Sequence, residues 1–443
     1  MEPSIPLNAA SCFRQGLAHA RRREYDHALV RFTEAIDLDP KSADVHHRRG
    51  TVLAALGDQR QAIEDYTEAI RLNPRFVAAY RDRGLARTAR GEYEEAVTDF
   101  TAALLFEPGS GDHFNDRGVA YSLQGDHDRA VADFDECLRI DPKNAAAYSN
   151  RGNAHARSGK EARAVEDYTK AIQLYPYYVK AYYNRGLAYH TLGELANAVA
   201  DYSTTLRLDP RRGAAFLNRG RALAALGQID KAADDMRNAL RFDPECTEAY
   251  LNRGLFRAEQ RDAERAIADF TEVVARDPEC VAAYKNRGLC HAQRGEHDKA
   301  IADFGEAIRL DPTDSNAHYN RGFSHLHRGE WDEASRDLTE AVRISPVDAA
   351  MLNRVAWILA TSAEATLRDA DKAVQLATRA CELTQWQVPG LLDTLAAAHA
   401  EGGRFEEAVR LVEQALQLPA DGHVEEYQAR LKLYRDGLAY RTP

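Results

Sequence analysis

Hydrophobic positions recur along this chain in two helical stripes separated by a glycine. In residues 145–178, a first stripe of apolar residues at helical spacing stops at Gly159. A second stripe runs over 164–174 and stops before Pro176, because proline disfavours a helical conformation in the residue that precedes it. The pattern predicts a pair of antiparallel helices within 34 residues.

The same two-helix pattern recurs with a period of 34 residues. Ten of the fifteen prolines keep this spacing, from Pro40 to Pro346, and they divide 9–348 into ten repeats without insertion or deletion. Counted from the first residue of each repeat, place 8 is always glycine, place 20 is always alanine and place 24 is large and mostly aromatic. The small residues predict a close approach of two helices, and the large residue predicts a side chain that fills the space between neighbouring repeats.

The period and the terminal proline resemble the tetratricopeptide repeat (TPR), and in particular the bacterial multi-repeat TPR scaffolds. The segments that carry the resemblance are typified by 181–186, 201–202 and 208–210. The resemblance implies an all-α fold, a right-handed superhelical solenoid of antiparallel helix pairs. One departure is systematic, since place 7, often leucine in the family, is arginine in nine repeats.

The ends of the chain follow the pattern less closely. Residues 349–423 predict two degenerate TPR-like units, with helices at about 349–362, 370–384, 390–401 and 404–418. Residues 424–443 predict a capping helix, which an open-ended stack needs for solubility, followed by a tail. Residues 1–8, with two prolines, are expected to form a disordered tail.

Places 7 and 23 of the repeats vary together. Nine repeats carry arginine at place 7 and aspartate at place 23, whereas the first repeat has Gln15 and Arg31 there. Shared presence and shared absence indicate that the two side chains touch, because a guanidinium can bind a carboxylate through two parallel hydrogen bonds. We expect a structural pairing, with direct ligand contact as the alternative.

Place 6 carries asparagine in six successive repeats: Asn150, Asn184, Asn218, Asn252, Asn286 and Asn320. Asparagine is a poor residue for a helix interior, so six in register need a reason. By resemblance, the first helix of each TPR lines a concave wall and place 6 faces the groove. A similar asparagine row in the TPR superhelix of O-linked N-acetylglucosamine transferase holds the backbone of an extended polypeptide. An amide has both a donor and an acceptor, which suits that role; the alternative is that these amides bond to neighbouring repeats.

Four other side chains are candidate contacts for a peptide in the groove. Tyr183 is expected to face the groove and to be free of packing duties, and aromatic rings are common at binding hot spots. Lys180, Arg221 and Lys285 occupy the inward places 2, 9 and 5. The inward places together carry eight basic and six acidic residues, so the groove is expected to be nearly neutral.

Composition and motifs exclude several classes of function. A net charge of -11 disfavours a nucleic-acid binder, which needs a basic surface. No apolar run is long enough to cross a bilayer, so we expect no membrane insertion. The scattered cysteines and the lack of a secretory signal predict a cytoplasmic protein.

No chemistry-bearing motif accompanies the repeats. Phosphate-binding loops, HExxH and GxSxG are missing from the sequence, and the repeats leave no room for a catalytic domain. We therefore predict a protein that is not an enzyme and needs no cofactor or metal. Binding of acidic chaperone tails is disfavoured as well, because Ala214 and Asn218 stand where that recognition needs basic residues.

The sequence thus predicts a protein–protein interaction scaffold that binds an extended segment of a partner in its groove. The alternative is a structural or assembly protein whose terminal or edge surfaces mediate oligomerisation. The sequence leaves the partner, the pathway and the oligomeric state open.

Overall fold

The structure is a computed structural model that describes residues 8–419 and 421–442. These residues form 25 α-helices and one short 3-10 helix, and they contain no strand. Successive helices pack in antiparallel pairs, so the predicted all-α class of paired helices is confirmed. The chain divides into two compact units, the first ending at Asp235 and the second beginning at Met236.

The helices of the first unit follow the repeats closely. They are α1 (Ala9–Arg21), α2 (Tyr25–Leu38), α3 (Ala43–Ala55), α4 (Gln59–Leu72), α5 (Val77–Arg90), α6 (Tyr93–Phe106), α7 (Gly111–Gln124), α8 (His127–Ile140), α9 (Ala145–Arg157), α10 (Glu161–Leu174), α11 (Val179–Thr191), α12 (Leu195–Leu208) and α13 (Gly213–Ala225). The division between the units falls within α14 (Ile229–Phe242).

The second unit contains the last repeats and the C-terminal helices. They are α15 (Thr247–Glu259), α16 (Ala263–Arg276), α17 (Val281–Gln293), α18 (His297–Leu310), α19 (Ser315–Arg328), α20 (Trp331–Ile344), α21 (Ala349–Thr361), α22 (Ala370–Leu383), α23 (Pro389–Glu401), α24 (Phe405–Ala415) and α25 (Val424–Arg435). The 3-10 helix Ala365–Leu367 lies in the long turn between α21 and α22. Among the described residues, no helix is both long and apolar enough to span a bilayer.

Local sequence signals set where each helix begins and ends. The side chain of Asn144 accepts a hydrogen bond of 2.9 Å from the backbone N–H of Ala147 and so caps α9. Gly159, between α9 and α10, has a φ of +69°, a left-handed conformation that costs other residues more than glycine. At the N-terminus, Asn8 caps α1 through Ser11 N, so Asn8 is not part of a disordered tail; the rest of that predicted tail lies outside the described residues.

In eight of the ten repeats, place 8 needs glycine because an aromatic ring at place 24 of the same repeat packs directly on it. A Cβ atom added to Gly152 would lie 2.8 Å from Cε1 of Tyr168, far closer than carbon atoms approach in proteins. Tyr168 shares a buried cluster with Ala164 of its own repeat and Ala188 of the following one. The sequence pattern predicted that the ring fills the space between repeats. In the structure it also fills space inside its own helix pair.

The C-terminal helices share the largest of the described hydrophobic clusters. α24 ends at Ala415, about a turn earlier than the sequence pattern predicts, and Tyr427, Leu431 and Tyr434 of α25 are buried in this cluster. Thr442 then returns to α21, where its backbone N–H donates to the carbonyl of Thr361 at 2.8 Å.

Arginine at place 7 and aspartate at place 23 bind each other in all nine repeats that carry them, which confirms their predicted contact. In a typical pair, Arg185 donates from Nε and Nη2 to the two carboxylate oxygens of Asp201 at 2.7 and 2.8 Å. The arginine also donates from Nη1 to Thr169 of the preceding repeat at 2.9 Å. Hydrogen bonding to Asp167 likewise raises the pKa of Arg151 above its ordinary value. These nine pairs hold the two helices of a repeat together, and in seven of them the arginine also bonds to place 25 of the preceding repeat.

We expect Arg185→Ala and Asp201→Ala to lower the free energy of unfolding by about 1–3 kcal/mol each, because the charged hydrogen bonds are almost buried. The side chains are only 16% and 7% exposed, so a double-mutant cycle should give a coupling of about 1–3 kcal/mol. The exposed pair Arg139–Glu136 on α8 is the matched control, with an expected coupling below about 0.5 kcal/mol. Strict additivity at Arg185 and Asp201 would contradict the structural role.

Candidate functional site

The six asparagines of place 6 all lie on the first helices of their repeats and are all half-buried. Within each unit, first helices of successive repeats contact one another, as α9 contacts α11 and α17 contacts α19. In each unit separately, we call the surface formed by places 5, 6 and 9 of the first helices the first-helix wall. Every asparagine of the row belongs to the wall of its own unit.

The first three asparagines bond to the preceding repeat. Nδ2 of Asn150 donates to Oδ1 of Asn115 at 3.0 Å. Nδ2 of Asn184 donates to Oδ1 of Asn153 at 2.8 Å, and Nδ2 of Asn218 donates to the hydroxyl of Tyr183 at 3.0 Å. These amides therefore brace neighbouring repeats, which is the alternative that the sequence left open.

The last three asparagines behave differently. Nδ2 of Asn252 donates to the carbonyl of Glu248 at 2.8 Å, and Nδ2 of Asn286 donates to that of Ala282 at 2.7 Å, one helical turn back in each case. The side chain of Asn320 has no hydrogen-bond partner among the described residues. Within the same part of the chain, nothing donates to Oδ1 of Asn252, Asn286 or Asn320. These three oxygens can accept a hydrogen bond from a ligand.

A side-chain contact from place 5 of one repeat to place 6 of the next also occurs where place 6 is not asparagine. His47 Nε2 lies 2.8 Å from Asp82 Oδ2, and Arg81 Nε donates to Asp116 Oδ2 at 2.7 Å. In the second unit, place 5 before Asn286 is Leu251, which offers no polar atom, and the amide turns to its own helix. Sequence reasoning missed this network, although charged residues 35 apart, such as Arg81 and Asp116, were a visible signal.

Two asparagines of the place-6 row line a depression of about 490 Å³ on the first-helix wall of the first unit. Asn150, Asn184, Leu187 and Tyr168 contribute to its surface. The hydroxyl of Tyr168 donates to Oδ1 of Asn153 at 2.7 Å, and burial raises the pKa of this hydroxyl, so it stays protonated as a donor. The depression combines amides with apolar carbon, a surface that suits a peptide backbone and its side chains.

Comparison with protein families agrees with this arrangement of helices. Models described as tetratricopeptide repeat match residues 47–113, 145–178, 179–212, 217–270, 257–315, 304–334 and 390–418, and a model described as TPR repeat matches 118–159. The matches cover well over half of the chain. The chain belongs to the tetratricopeptide repeat family.

Several solved structures of TPR proteins are similar to this chain. YrrB, described as a TPR protein with an unusual peptide-binding site, is 24% identical over 44% of this chain and 97% of its own, with a TM-score of 0.39. A TPR protein from Parabacteroides merdae is 22% identical over 54% and 95%, with a TM-score of 0.41. Cut9, from the Cut9–Hcn1 hetero-tetramer of the APC/C, is 17% identical over 97% and 90%, with a TM-score of 0.40. No curated protein sequence matches the chain.

Tyr183 is on the wall of this TPR protein. The sequence predicted a side chain free of packing contacts, but the structure shows several. Its ring lies 6.0 Å from that of the buried Tyr202, and Cζ of Arg212 is 4.2 Å from its centre. Its hydroxyl also accepts the hydrogen bond from Asn218. The prediction failed because Tyr202 and Arg212 lie on other elements of the same repeat and Asn218 lies in the next repeat, and the helical periodicity around Tyr183 does not reveal such contacts.

The predicted basic contacts fall in different environments. Lys180 and Arg221 are exposed at their inward places. Nζ of Lys285 instead lies 2.5 Å from Oδ2 of Asp314, the residue that caps α19. The charge of Lys285 is therefore already balanced by the acid that caps the first helix of the next repeat.

Place 9 of the first helices contributes apolar surface. The sequence analysis considered this place only for the charged residues that it carries. Its large side chains are between 37% and 42% exposed in five repeats: Leu85, Leu187, Leu255, Leu289 and Phe323. The regular return of leucine at this spacing was the available signal. Each TPR of this group presents an apolar side chain one turn after place 6, so amide and apolar surfaces alternate along the first helices.

Proposed function

We propose that this TPR protein is a non-enzymatic interaction scaffold whose first-helix wall binds an extended polypeptide segment of a partner protein. The main support is the set of half-buried amide oxygens without a donor at Asn252, Asn286 and Asn320. They lie one turn from the exposed Leu255, Leu289 and Phe323, respectively. Backbone N–H groups of a peptide can donate to these oxygens whatever its sequence, while its side chains contact the apolar surface.

The remaining predicted contacts belong to the same proposal. Asn150 and Asn184 can contact a peptide in the depression of the first unit, although one N–H of each amide is engaged in bracing. Asn218, Tyr183, Lys180 and Arg221 would contact it at the edges of the wall. Because Lys285 is paired with Asp314, its contribution would be smaller than that of a free cation.

We further propose a cytoplasmic protein whose partners are proteins rather than nucleic acids. The six cysteines are all unpaired in the structure, which suits a reducing compartment. The net charge of -11 would repel the phosphate backbone of a nucleic acid.

Changing Asn252, Asn286 and Asn320 together to alanine should weaken peptide binding about tenfold to a thousandfold, since each lost hydrogen bond contributes about 0.5–1.5 kcal/mol. Thermal stability should stay the same or rise slightly, because alanine is the better helix former. The probe is a fluorescein-labelled peptide selected on the full chain from a random 12-residue phage library, and the measurement is fluorescence anisotropy.

The matched variant changes Asn150, Asn184 and Asn218 to alanine. These amides bond between repeats, so this variant should melt earlier than wild type, the opposite of the first triple variant. The proposal fails if the Asn252, Asn286 and Asn320 variant binds the peptide as tightly as wild type does.

A further inference from the structure

A second cavity, of about 650 Å³, lies at the C-terminal end of the second unit. Residues of α19, α21, α23 and α25 line it, and Thr442 of the C-terminal tail contributes to its wall. We call it the C-terminal cavity. Its volume is within the range of pockets that bind small molecules or side chains.

Aromatic rings form much of the wall of the C-terminal cavity. Tyr319 and Phe323 come from α19, Trp357 from α21 and Tyr427 from α25. Phe323 is 40% exposed, and its ring centre lies 4.8 Å from that of His327 and 6.3 Å from that of Tyr319. Tyr319 and Phe323 occupy places 5 and 9 of the last repeat, so the cavity continues the first-helix wall of this unit.

The buried charged groups of the cavity are already matched within the protein. Nε and Nη2 of Arg430 lie 2.9 Å from the two carboxylate oxygens of Asp393, and both residues are buried. Cζ of Arg430 is 5.3 Å from the ring centre of Trp357, and Cζ of Arg354 is 4.6 Å from that of Tyr319. Because the protein's own arginines cover these ring faces, the cavity favours an uncharged apolar group over a cation.

One polar atom in the wall lacks a partner. Oδ1 of Asn353 is inaccessible to solvent, and no described residue donates a hydrogen bond to it. A buried acceptor without a donor is unfavourable, and it is rare in native structures. A ligand N–H group would remove that cost if the half-buried Asn353 side chain turned this oxygen toward the cavity that it lines.

We propose that the C-terminal cavity binds one bulky apolar side chain, aromatic or leucine, of the partner's extended segment, with a backbone N–H of that segment donating to Asn353 Oδ1. This assignment rests on the proposed function, because the cavity would bind an apolar side chain of the same partner segment that lies along the first-helix wall. The volume accommodates the side chain together with its flanking backbone.

The test uses the full chain and the fluorescein-labelled peptide selected from the random library. We expect the selected peptides to share one bulky apolar residue, and its replacement by alanine should lower affinity at least about tenfold. Binding should also change the tryptophan fluorescence, because Trp331 and Trp357 line the cavity and Trp386 does not. Phe323→Ala and Asn353→Leu should each lower affinity about tenfold.

Two control variants separate the cavity from the wall. Val347→Ala removes an apolar side chain that is 69% exposed and lies outside both sites, so it should leave affinity unchanged. Leu289→Ala reports on the first-helix wall, since Leu289 occupies the same place as Phe323 in the preceding repeat. Should Asn353→Leu fail to fold, Ala363→Trp, at an exposed position on the cavity wall, fills the cavity instead.

The outcomes distinguish the two proposals. Lost affinity in Leu289→Ala with wild-type affinity in Phe323→Ala and Asn353→Leu would overturn the cavity assignment and leave the proposed function intact. Lost affinity in the cavity variants alone would support the cavity and overturn the wall. Wild-type affinity in all of them would overturn both. Binding of N-acetyl-tryptophanamide or N-acetyl-leucinamide as tightly as the peptide would identify a small-molecule site and overturn the polypeptide assignment.

Discussion

Phe100→Ala is expected to lower the free energy of unfolding by about 3–5 kcal/mol, because the ring is completely buried and its removal leaves a cavity. The ring packs on Gly84, where an added Cβ would lie 2.8 Å from Cε1. Repeat proteins can unfold in parts, so the measurement is denaturant unfolding followed by circular dichroism together with hydrogen exchange in α5 and α6.

The matched control for Phe100 lies on the same helix. Phe106, the last residue of α6, is 42% exposed, and Phe106→Ala should cost less than about 1 kcal/mol. Equal losses in the two variants would mean that the place-24 rings do not carry the packing of the repeats.

Gly84→Ala tests the same contact from the other side. In wild type the new methyl group clashes with the Phe100 ring, so we expect a loss of about 1–3 kcal/mol. In the Phe100→Ala background the clash disappears, and the better helix propensity of alanine should make the same change neutral or stabilising by up to about 1 kcal/mol. A destabilisation of the same size in both backgrounds would show that the ring is not the reason for glycine.

Asp393→Ala should destabilise the C-terminal end of the second unit by about 3–5 kcal/mol, because it leaves the buried charge of Arg430 with only the exposed Glu426, at 3.5 Å, as an ion-pair partner. The two side chains are only 4% and 8% exposed, and α25 provides the arginine while α23 provides the acid. Tryptophan fluorescence is a suitable measurement, since all three tryptophans lie between residues 331 and 386 and Trp357 is in contact with Arg430.

The double variant Asp393→Leu, Arg430→Leu should recover much of this loss, because an apolar pair of similar size needs no compensating charge. The exposed pair of Glu413 and Arg435 is the control, and Glu413→Ala should cost less than about 1 kcal/mol. If Asp393→Ala costs no more than Glu413→Ala, the buried pair does not hold α25 against α23.

The sequence alone marked the place-8 glycines and the place-24 rings as packing positions, although their direct contact within one repeat came only from the structure. It fully determined the helix pairs and the contact between Arg185 and Asp201, which follow from spacing within one repeat. Such contacts depend on two helices joined by a short turn, and that turn leaves them few ways to pack. Because the chain contains ten repeats, each such contact is visible in the sequence as similar residues at the same place of successive repeats.

Only the tertiary structure decided which contacts the side chains of the first-helix wall make. Asn218 and Asn286 look alike in the sequence and both donate to a carbonyl one turn back in their own helix, yet only Asn218 also donates to Tyr183 of another repeat. The difference depends on the residue that the neighbouring first helix brings within about 3 Å, which no single repeat encodes. The C-terminal cavity is formed by segments up to 123 positions apart, Tyr319 and Thr442 among them, outside the strict period. Periodicity predicts contacts that recur, whereas these sites arise where neighbouring elements differ.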